Sequence, residues 1–265
     1  MKKLLLLLVG LLVLAGGGVF LFGGSLLRTG VEKGGTYAFG TETKLSSASL
    51  SILGGKIGLR GFHVANPEGF RSDRAIAVER MELDASVTSF LSDTIEIERI
   101  EVESPEITIE VGPGGTNVGG LLENLKRHAP AGEGEPQTPG EEKPSKKLHV
   151  GLVQVTTPKV RIAQSLLGAA STTIELPGFE MRDLGTGGEK NETTLPQLLE
   201  RVLARIVEAA LASGARIPPE IANLLRQETL AGAAEGVRRE VEQVGKNLEK
   251  AAEDLKSRVK GILPK

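Results

Sequence analysis

One arrangement of apolar residues recurs along this chain and limits what it can fold into. Residues 57–64 read IGLRGFHV and place large apolar side chains at relative positions zero, two, five and seven. On a helix, positions zero and two lie on nearly opposite faces. A strand keeps these two positions on one face, and its alternation is broken only at position five. One extra residue restores the alternation. The spacing therefore predicts a strand with a β-bulge, which bends the strand and sharpens its twist.

The same spacing returns in four more segments, which we call copies of the template. Its further copies begin at Ile76, Ile95, Leu148 and Ile174. A single copy is ordinary in a sheet rich in valine and isoleucine, but five copies favour a true repeat. The longest internal match aligns residues 95–109 with residues 148–162 without gaps and superimposes Pro105 on Pro158. We interpret this match as a duplicated β unit.

The amino-terminal residues predict a membrane anchor. Two lysines precede an uncharged run from Leu4 to Phe22, whose 19 residues would span about 28 Å as a helix, close to the roughly 30 Å hydrocarbon core of a bilayer. A cleaved signal peptide is the alternative, because Ala15–Gly18 imitates a small-residue cleavage site. The apolar residues that follow it favour an uncleaved anchor over residues 1–24. Lys2 and Lys3 predict that the rest of the chain lies on the far side, which in a bacterium is the periplasm.

The remaining patterns predict an α+β fold with a transmembrane helix, a curved antiparallel β-sheet built from the repeated bulged strands, and amphipathic helices at the carboxyl end. A stretch without large apolar residues, rich in proline, glycine and glutamate, predicts a flexible linker. A helical apolar stripe runs from Leu195 to Leu211. The predicted regions are an anchor (1–24), a β unit with a short helix (25–127), a linker (128–147), a second β unit (148–190) and a helical tail (191–265).

The last helix of that tail leaves three interpretations open. Its apolar residues, from Val237 to Ile262, recur mostly in alternating steps of four and three. This narrow seam suits a coiled coil, docking on the sheet, or a membrane surface.

Residues with catalytic or ligand-binding patterns are largely missing. The chain has no cysteine and no tryptophan, and its formal net charge is −2, which argues against thiolate chemistry and against a nucleic-acid partner. His63, His128 and His149 have no metal-ligand spacing, and the glycine-rich GPGGTNVGG lacks the GK[ST] ending of a phosphate loop. We therefore expect no enzymatic activity, no catalytic residue, no cofactor and no metal site.

The order of features resembles the AsmA family. A lysine-flanked anchor leads into KLSSASLSILGGKIGLRGFHVANPEGF, then AIAVERMEL, FLSDTIEIERIEVESPEITIEV and NVGGLLENLKR, which are similar to the family's turn, strands and asparagine-containing leucine helix. The resemblance covers about residues 1–127, with residues 148–185 as a second set of strands. It implies a periplasmic protein anchored in the bacterial inner membrane. Its function would be cell-envelope (outer membrane) biogenesis or phospholipid transport through an apolar β groove. Long relatives have many repeats, so a bridge across the whole periplasm does not follow for this short chain.

Two functional hypotheses follow, a lipid-binding envelope module and a non-enzymatic tether or scaffold whose core the chain fills itself. The expected partners are a membrane phospholipid and the inner membrane, with another envelope protein as a further candidate. An open apolar groove would favour the first hypothesis, and a groove sealed by the carboxy-terminal helices would favour the second. The residues predicted to line the groove are Leu50, Ile52, Ile57, Leu59, Ile76, Val78, Ile95, Ile97, Val150 and Ile174.

Overall fold

The structure, a computed structural model, describes residues 23–51, 54–112, 114–128, 146–163, 171–185, 193–215 and 217–229. These residues form a mixed α+β fold in which one large open sheet packs against four helices. The strands are β1 (Thr43–Lys44), β2 (Ser47–Ser51), β3 (Lys56–Ala65), β4 (Arg74–Ala85), β5 (Thr94–Glu103), β6 (Glu106–Gly112), β7 (Gly115–Thr116), β8 (Lys147–Thr156), β9 (Lys159–Ala163), β10 (Thr172–Glu175), β11 (Phe179–Leu184) and β12 (Thr193–Thr194). The helices are α1 (residues 23–39), α2 (Asn117–His128), α3 (Leu195–Ala212) and α4 (residues 219–229), and Val87–Leu91 form a 3₁₀ turn.

The sheet is mixed, which corrects the prediction of an antiparallel sheet. Strands β3, β4 and β5 lie side by side in antiparallel order, as expected for a meander. The duplicated strands then pair in parallel, β5 with β8 and β6 with β9. A pattern of apolar positions defines the face of each strand but not its neighbour, so the parallel pairs could not be foreseen from the template.

The internal sequence match turns out to be the pairing register itself. Ile95 lies opposite Leu148, Val102 opposite Val155, and Ile107 opposite Val160. Each pair has the same separation as the gapless alignment of residues 95–109 with 148–162. The two β units therefore lie next to each other as side-by-side copies, and corresponding residues occupy corresponding places.

A line of backbone irregularities crosses the sheet through β3, β4 and the ends of β5 and β8, and we call it the first crease. In β3 it falls at Gly61, which has a positive φ of 62°. Glu79, the unpaired position opposite Gly61, continues it in β4. Ser104 and Thr157, each followed by proline, continue it with φ of 47° and 43°, and their hydroxyl oxygens are 2.9 Å apart. Because the breaks coincide in neighbouring strands, the whole sheet bends along one line.

A second crease crosses three strands between Ile97 and Ile100. Glu98 in β5 and Gly151 in β8 lie side by side at it, and Asp183 in β11 has a positive φ of 54°. A side chain on Gly151 would lie 2.8 Å from the carbonyl oxygen of Glu98, so the close approach of the two backbones requires glycine there. The predicted curvature thus arises from two aligned creases.

The fifth copy of the template forms two strands, which corrects the prediction of one bulged strand. Ile174 pairs with Val160 of β9, whereas Met181 pairs with Val153 of β8. Gly178 separates the two strands, and a side chain there would lie 2.8 Å from the carbonyl oxygen of Val155. The chain turns a corner at Pro177–Gly178, where the spacing alone suggested one continuous bulged strand.

Helix α1 occupies residues that the sequence pattern left as a connector. It runs antiparallel to residues 43–48. A side chain on Gly24 would lie 2.6 Å from the carbonyl oxygen of Ala48. The backbone N–H of Leu45 donates to the Glu32 carboxylate at 3.0 Å. Near the other end of the helix, the Thr43 N–H donates to the Thr36 hydroxyl at 3.0 Å. The beginning of α1 therefore lies beside β2, toward the β2–β3 turn.

These contacts distinguish two ends of the sheet. The proximal end is formed by residues 50–51, 54–57, 83–95 and 146–148, with the start of α1 beside it. Its turns are joined by hydrogen bonds from Ala85 N–H to Gly55 O and from Lys147 N–H to Asp93 O. The distal end is formed by residues 64–76, 107–112, 160–163 and 172–174. Leu121, Leu122 and Leu125 of α2 are buried in the core.

The predicted helical stripe after residue 194 is confirmed by α3. Thr194 precedes the helix and donates its N–H to the side chain of Gln197 at 2.9 Å, an N-terminal capping arrangement. The helix ends at Ala212, and α4 begins at the proline pair of residues 218–219. Leu198, Leu203, Ile206, Val207 and Ala210 face the core.

Several predictions concern residues outside the described ranges. The apolar run of the predicted anchor ends at residue 22, most of the predicted linker is residues 129–145, and the predicted last helix lies beyond residue 229. Among the residues that the structure describes, no helix is both long enough and apolar enough to cross a membrane.

Candidate functional site

The inner face of the sheet carries continuous rows of apolar side chains. Residues that pair across strands share a face of the sheet, so each row can be read from the register. In the distal half, one row crosses five strands. Its members are Val64, Ile76, Ile107, Val160 and Ile174. Two rows of the same kind lie between the creases. They are Leu59, Met81, Val102, Val155 and Phe179, and Ile57, Leu83, Ile100, Val153 and Met181.

Burial of this inner face decreases toward the proximal end on β4 and β11, whereas Leu148, Val150, Val153 and Val155 of β8 stay buried. All five residues of the distal row are buried, and Val64 and Val160 have no exposed surface. In each of the two rows nearer the proximal end, the members from β4 and β11 are only partly buried. The partly buried inner-face residues beyond the first crease are Met81, Leu83, Ile95, Phe179, Met181 and Leu184.

The helices explain this gradient. Side chains of α2, α3 and α4 join the main core cluster, which contains the distal row. At the proximal side, Leu27 and Val31 of α1 pack against a second, smaller cluster of Leu45, Ile57 and Leu59. Met81 and Leu83 pack against both clusters. They therefore lie at the boundary between the two clusters. We call this boundary the seam and treat it as the candidate lipid site.

The predicted groove residues differ in how deeply they are buried. Ile57 and Leu59 belong to the smaller cluster, and Ile95 is partly buried at the proximal end. Leu50 is exposed on β2, and Ile52 lies outside the described residues. The remaining candidates, Ile76, Val78, Ile97, Val150 and Ile174, are buried within the main core cluster. Sequence reasoning did not single out Met81, Leu83, Met181 and Leu184, although the first three occupy template positions.

The outer face of the sheet is charged and largely neutralised by pairs of opposite charge. Arg80 hydrogen-bonds the Glu82 carboxylate, which lowers the pKa of Glu82. The Arg99 guanidinium lies 2.9 Å from Glu101, and Arg161 lies 3.1 Å from Glu106. The sheet is thus apolar inside and charged outside, and the exposed ion pairs contribute little to stability.

The outer face also contains a shallow pocket of about 200 Å³. Ser49, Gly58 and Glu82 lie opposite one another across β2, β3 and β4 and line it, together with Lys56 and Asp84. The depression follows from the missing side chain of Gly58. Leu50, Ile57 and Leu83 complete its lining, so the pocket has polar and apolar walls and borders the candidate lipid site at Leu83.

A buried polar network closes the distal end. The Glu110 side chain accepts hydrogen bonds from the backbone N–H of Arg71 at 2.8 Å and of Ser72 at 2.9 Å. Asn117 donates to Asn66 Oδ1 at 2.7 Å, and its own Oδ1 accepts from the Glu110 N–H at 2.8 Å. These contacts join the 66–72 turn to β6 and to the first residue of α2. The NPEG turn and the asparagine of the leucine helix therefore have a structural role.

Helix α4 is joined to this end by one carboxylate. Glu228 accepts a hydrogen bond from the backbone N–H of Thr116 at 2.8 Å and another from the Thr116 hydroxyl. A side chain on Gly119 would meet the same carboxylate, so that glycine leaves the space that Glu228 occupies. This contact, at the beginning of α2, fixes the helices over the distal half of the inner face.

The three histidines lie apart and have separate partners. His149 lies 3.0 Å from Glu96, whereas the ring nitrogens of His63 and His128 are within hydrogen-bond distance of backbone oxygens. Within the described ranges, no three histidine, aspartate or glutamate side chains are grouped so that they could hold a metal ion.

The fold and its two faces define a class of protein, a curved sheet with an apolar inner face that is partly exposed and a charged outer face. Residues 55–179, somewhat less than half of the chain, match the model of the AsmA family, so this region is similar to that family. The match includes β3 to β10 and reaches the first residue of β11, so it covers most of both β units. No curated protein matches the chain, and no solved structure matches it either.

Proposed function

We propose that this AsmA-like protein is anchored in a bacterial inner membrane, with its bulk in the periplasm, and accommodates a phospholipid acyl chain on the inner face of its sheet. This role serves envelope biogenesis or lipid transport and needs no covalent chemistry. The observation that carries the proposal is the gradient of burial. On β4 and β11, apolar side chains become accessible toward the end where α1 begins, which is the end nearest the predicted anchor, while those of β8 stay buried.

The proposal narrows the predicted groove to its proximal half. Distal residues such as Ile107 and Val160 already pack against the protein's own helices and leave no room for a ligand. Met81, Leu83 and Met181 keep accessible surface on the same face. Each lipid methylene that these side chains remove from water contributes about 0.8 kcal/mol, so a few methylenes suffice for measurable binding.

Site-specific photocrosslinking in cells tests this proposal. The photoreactive amino acid p-benzoylphenylalanine would replace Leu83 or Met181 in the full chain, and Glu180 in the control. Glu180 is adjacent to Met181 but points to the outer face, because successive residues of a strand alternate between faces. We expect mass spectrometry to find a phospholipid adduct at positions 83 and 181 and none at 180. A folded protein without an adduct at either inner position would contradict the proposal.

The orientation is tested separately with reporters fused after residue 265. A periplasm-dependent reporter should be active and a cytoplasm-dependent one silent. The reverse pattern would contradict the proposed location. The proposed absence of catalysis would be contradicted by a substitution of one polar residue that abolishes a measured turnover while the chain stays folded.

A second candidate is a structural tether or scaffold with a self-filled core. It is favoured by the complete burial of the distal row under α2, α3 and α4. The crosslinking experiment separates the two functions, since a scaffold would give the same result at Met181 as at Glu180. In that case the partly buried side chains would be the ordinary margin of a core.

A further inference from the structure

Large apolar side chains that are exposed gather at the proximal end. Among the described residues there are six of these, Leu26, Tyr37, Leu50, Phe90, Leu91 and Leu195. Leu50 lies at the end of β2, and Phe90 and Leu91 form the turn between β4 and β5. Leu195 follows Thr194, which pairs with the first residue of β8. Leu26 lies in the first turn of α1, so only Tyr37 lies elsewhere.

Leu91 is the most exposed of these residues, with 92% of its surface accessible. It is at the tip of the 3₁₀ turn, and no inner-face role accounts for it. The preceding residue, Phe90, is 37% exposed, and its carbonyl oxygen accepts a hydrogen bond from the Lys146 ammonium. An apolar tip with an adjacent lysine is typical of segments that enter the interface of a bilayer, where the ammonium remains near the headgroups.

The position of α1 indicates what covers this tip. The predicted transmembrane run ends at Phe22, and α1 is already present at residue 23, so no spacer separates the anchor from the fold. Gly24 lies against Ala48, and Leu50 is only two residues further along β2, or about 7 Å. A bilayer that held the anchor would therefore lie close to the proximal end.

We propose that the proximal end, through Leu91, Phe90, Leu50 and Leu26, inserts into the interface of the lipid bilayer in which the chain is anchored. This surface rests on the anchoring that forms part of the proposed function, but not on the binding of lipid in the seam. It places the partly buried residues Leu83 and Ile95 next to the membrane. The sheet would thus extend away from the bilayer, and the accessible part of its apolar inner face would lie at the membrane end.

The absence of cysteine from the sequence allows a clean test on the full chain. Single cysteines would replace Leu91 at the proximal tip and, as the matched control, Glu68, which is exposed in the distal β3–β4 turn. Each would carry an environment-sensitive nitrobenzoxadiazole dye. The proteins would then be reconstituted into vesicles of phosphatidylethanolamine and phosphatidylglycerol, with and without lipids brominated near the carbonyl end of the acyl chain.

We expect the dye at position 91 to shift to the blue and to lose about half of its emission in brominated vesicles, since interfacial groups lie at that depth. The dye at position 68 should show neither change. A blue shift without quenching would mean that a protein surface, a second copy included, covers the tip, and it would overturn the proposal. An unshifted dye, or a chain that alkaline carbonate strips from the vesicles, would overturn it as well. Quenching at position 91 together with no lipid adduct at Leu83 or Met181 would support the insertion of the proximal end and contradict the proposed binding of lipid.

Discussion

The two ends of this sheet share strands β3 and β4 and an apolar inner face, yet they differ in what covers them. Ile95 and Ile107 belong to one stretch of chain that the first crease divides. Ile107 is 1% exposed under the helices, whereas Ile95 is only partly buried. The distal end is also held by the buried carboxylate of Glu110, and the proximal end has exposed leucines instead. The comparison shows that the repeated spacing produces an apolar face, and that the helices packed on this face determine which part of it is buried.

The largest expected effect compares these two isoleucines directly. Ile107→Ala should reduce the free energy of unfolding by about 3 to 4 kcal/mol, because it leaves a cavity in a packed core. Ile95→Ala should cost about 1 kcal/mol, since part of that side chain already contacts solvent. Denaturant titration of the full chain in detergent micelles measures both. Equal losses would remove the contrast between the two ends.

The next effect concerns the polar network that closes the distal end. Glu110→Ala removes the acceptor of two backbone N–H groups and should cost about 2 to 3 kcal/mol, because those buried donors lose a charged partner. Glu101→Ala on the outer face is the control, with an expected loss below about 1 kcal/mol since its ion pair is exposed. Similar stabilities for the two variants would show that the network does not hold the distal turn.

A smaller effect tests the creases that divide the sheet. Gly151→Ala places a methyl group 2.8 Å from the carbonyl oxygen of Glu98 and should cost about 1 to 2 kcal/mol. Gly120→Ala, in α2, meets nothing within 4 Å and should stabilise the protein by about 0.5 kcal/mol through helix propensity. The opposite signs would appear as opposite shifts in melting temperature. A neutral Gly151→Ala would mean that the second crease relaxes easily.

The sequence predicted these creases better than it predicted the partners of the strands. The spacing at Ile57, Ile95 and Leu148 follows from side chains that must share one face, so local chemistry was sufficient. The pairing of β5 with β8 depends on how the chain returns after α2, which no local pattern encodes. The corner at Gly178 was missed because the apolar spacing continues through it although the strand does not.

The candidate site shows the same division between local and long-range information. Alternation alone assigns Ile57, Leu59 and Ile95 to one face, and each of them packs against a core cluster. Which inner-face residues stay accessible depends on α1 and α3, and α1 was not predicted as a helix. Its segment contains Gly30, Gly34 and Gly35, and glycines weaken a helical pattern. Tertiary contacts to residues 43–48 compensate for that weakness.

The smallest expected effect tests how α1 is held at its side of the sheet. Glu32 accepts hydrogen bonds from the Leu45 N–H and from Arg28 Nε, both at 3.0 Å. The Leu45 N–H, followed by Arg28, lowers the pKa of Glu32 from its ordinary value of 4.5. A lowered pKa in the folded state means that the ionised carboxylate stabilises the protein above about pH 4.5. That contribution is lost as the pH falls through the lowered value.

Glu32→Gln should therefore destabilise the full chain at pH 7, by less than about 1 kcal/mol because solvent screens this pair. The difference from the native chain should shrink as the pH falls below about 4, where the native carboxyl becomes neutral as well. Thermal unfolding at a series of pH values measures this difference. Glu42→Gln is the control, because the ion pair between Glu42 and Lys44 is exposed. A loss from Glu32→Gln that stayed constant down to pH 3 would mean that hydrogen-bond geometry, rather than charge, holds α1 against residues 43–48. The proximal end would then depend on the shape of α1 alone, as the distal end depends on the packing of α2.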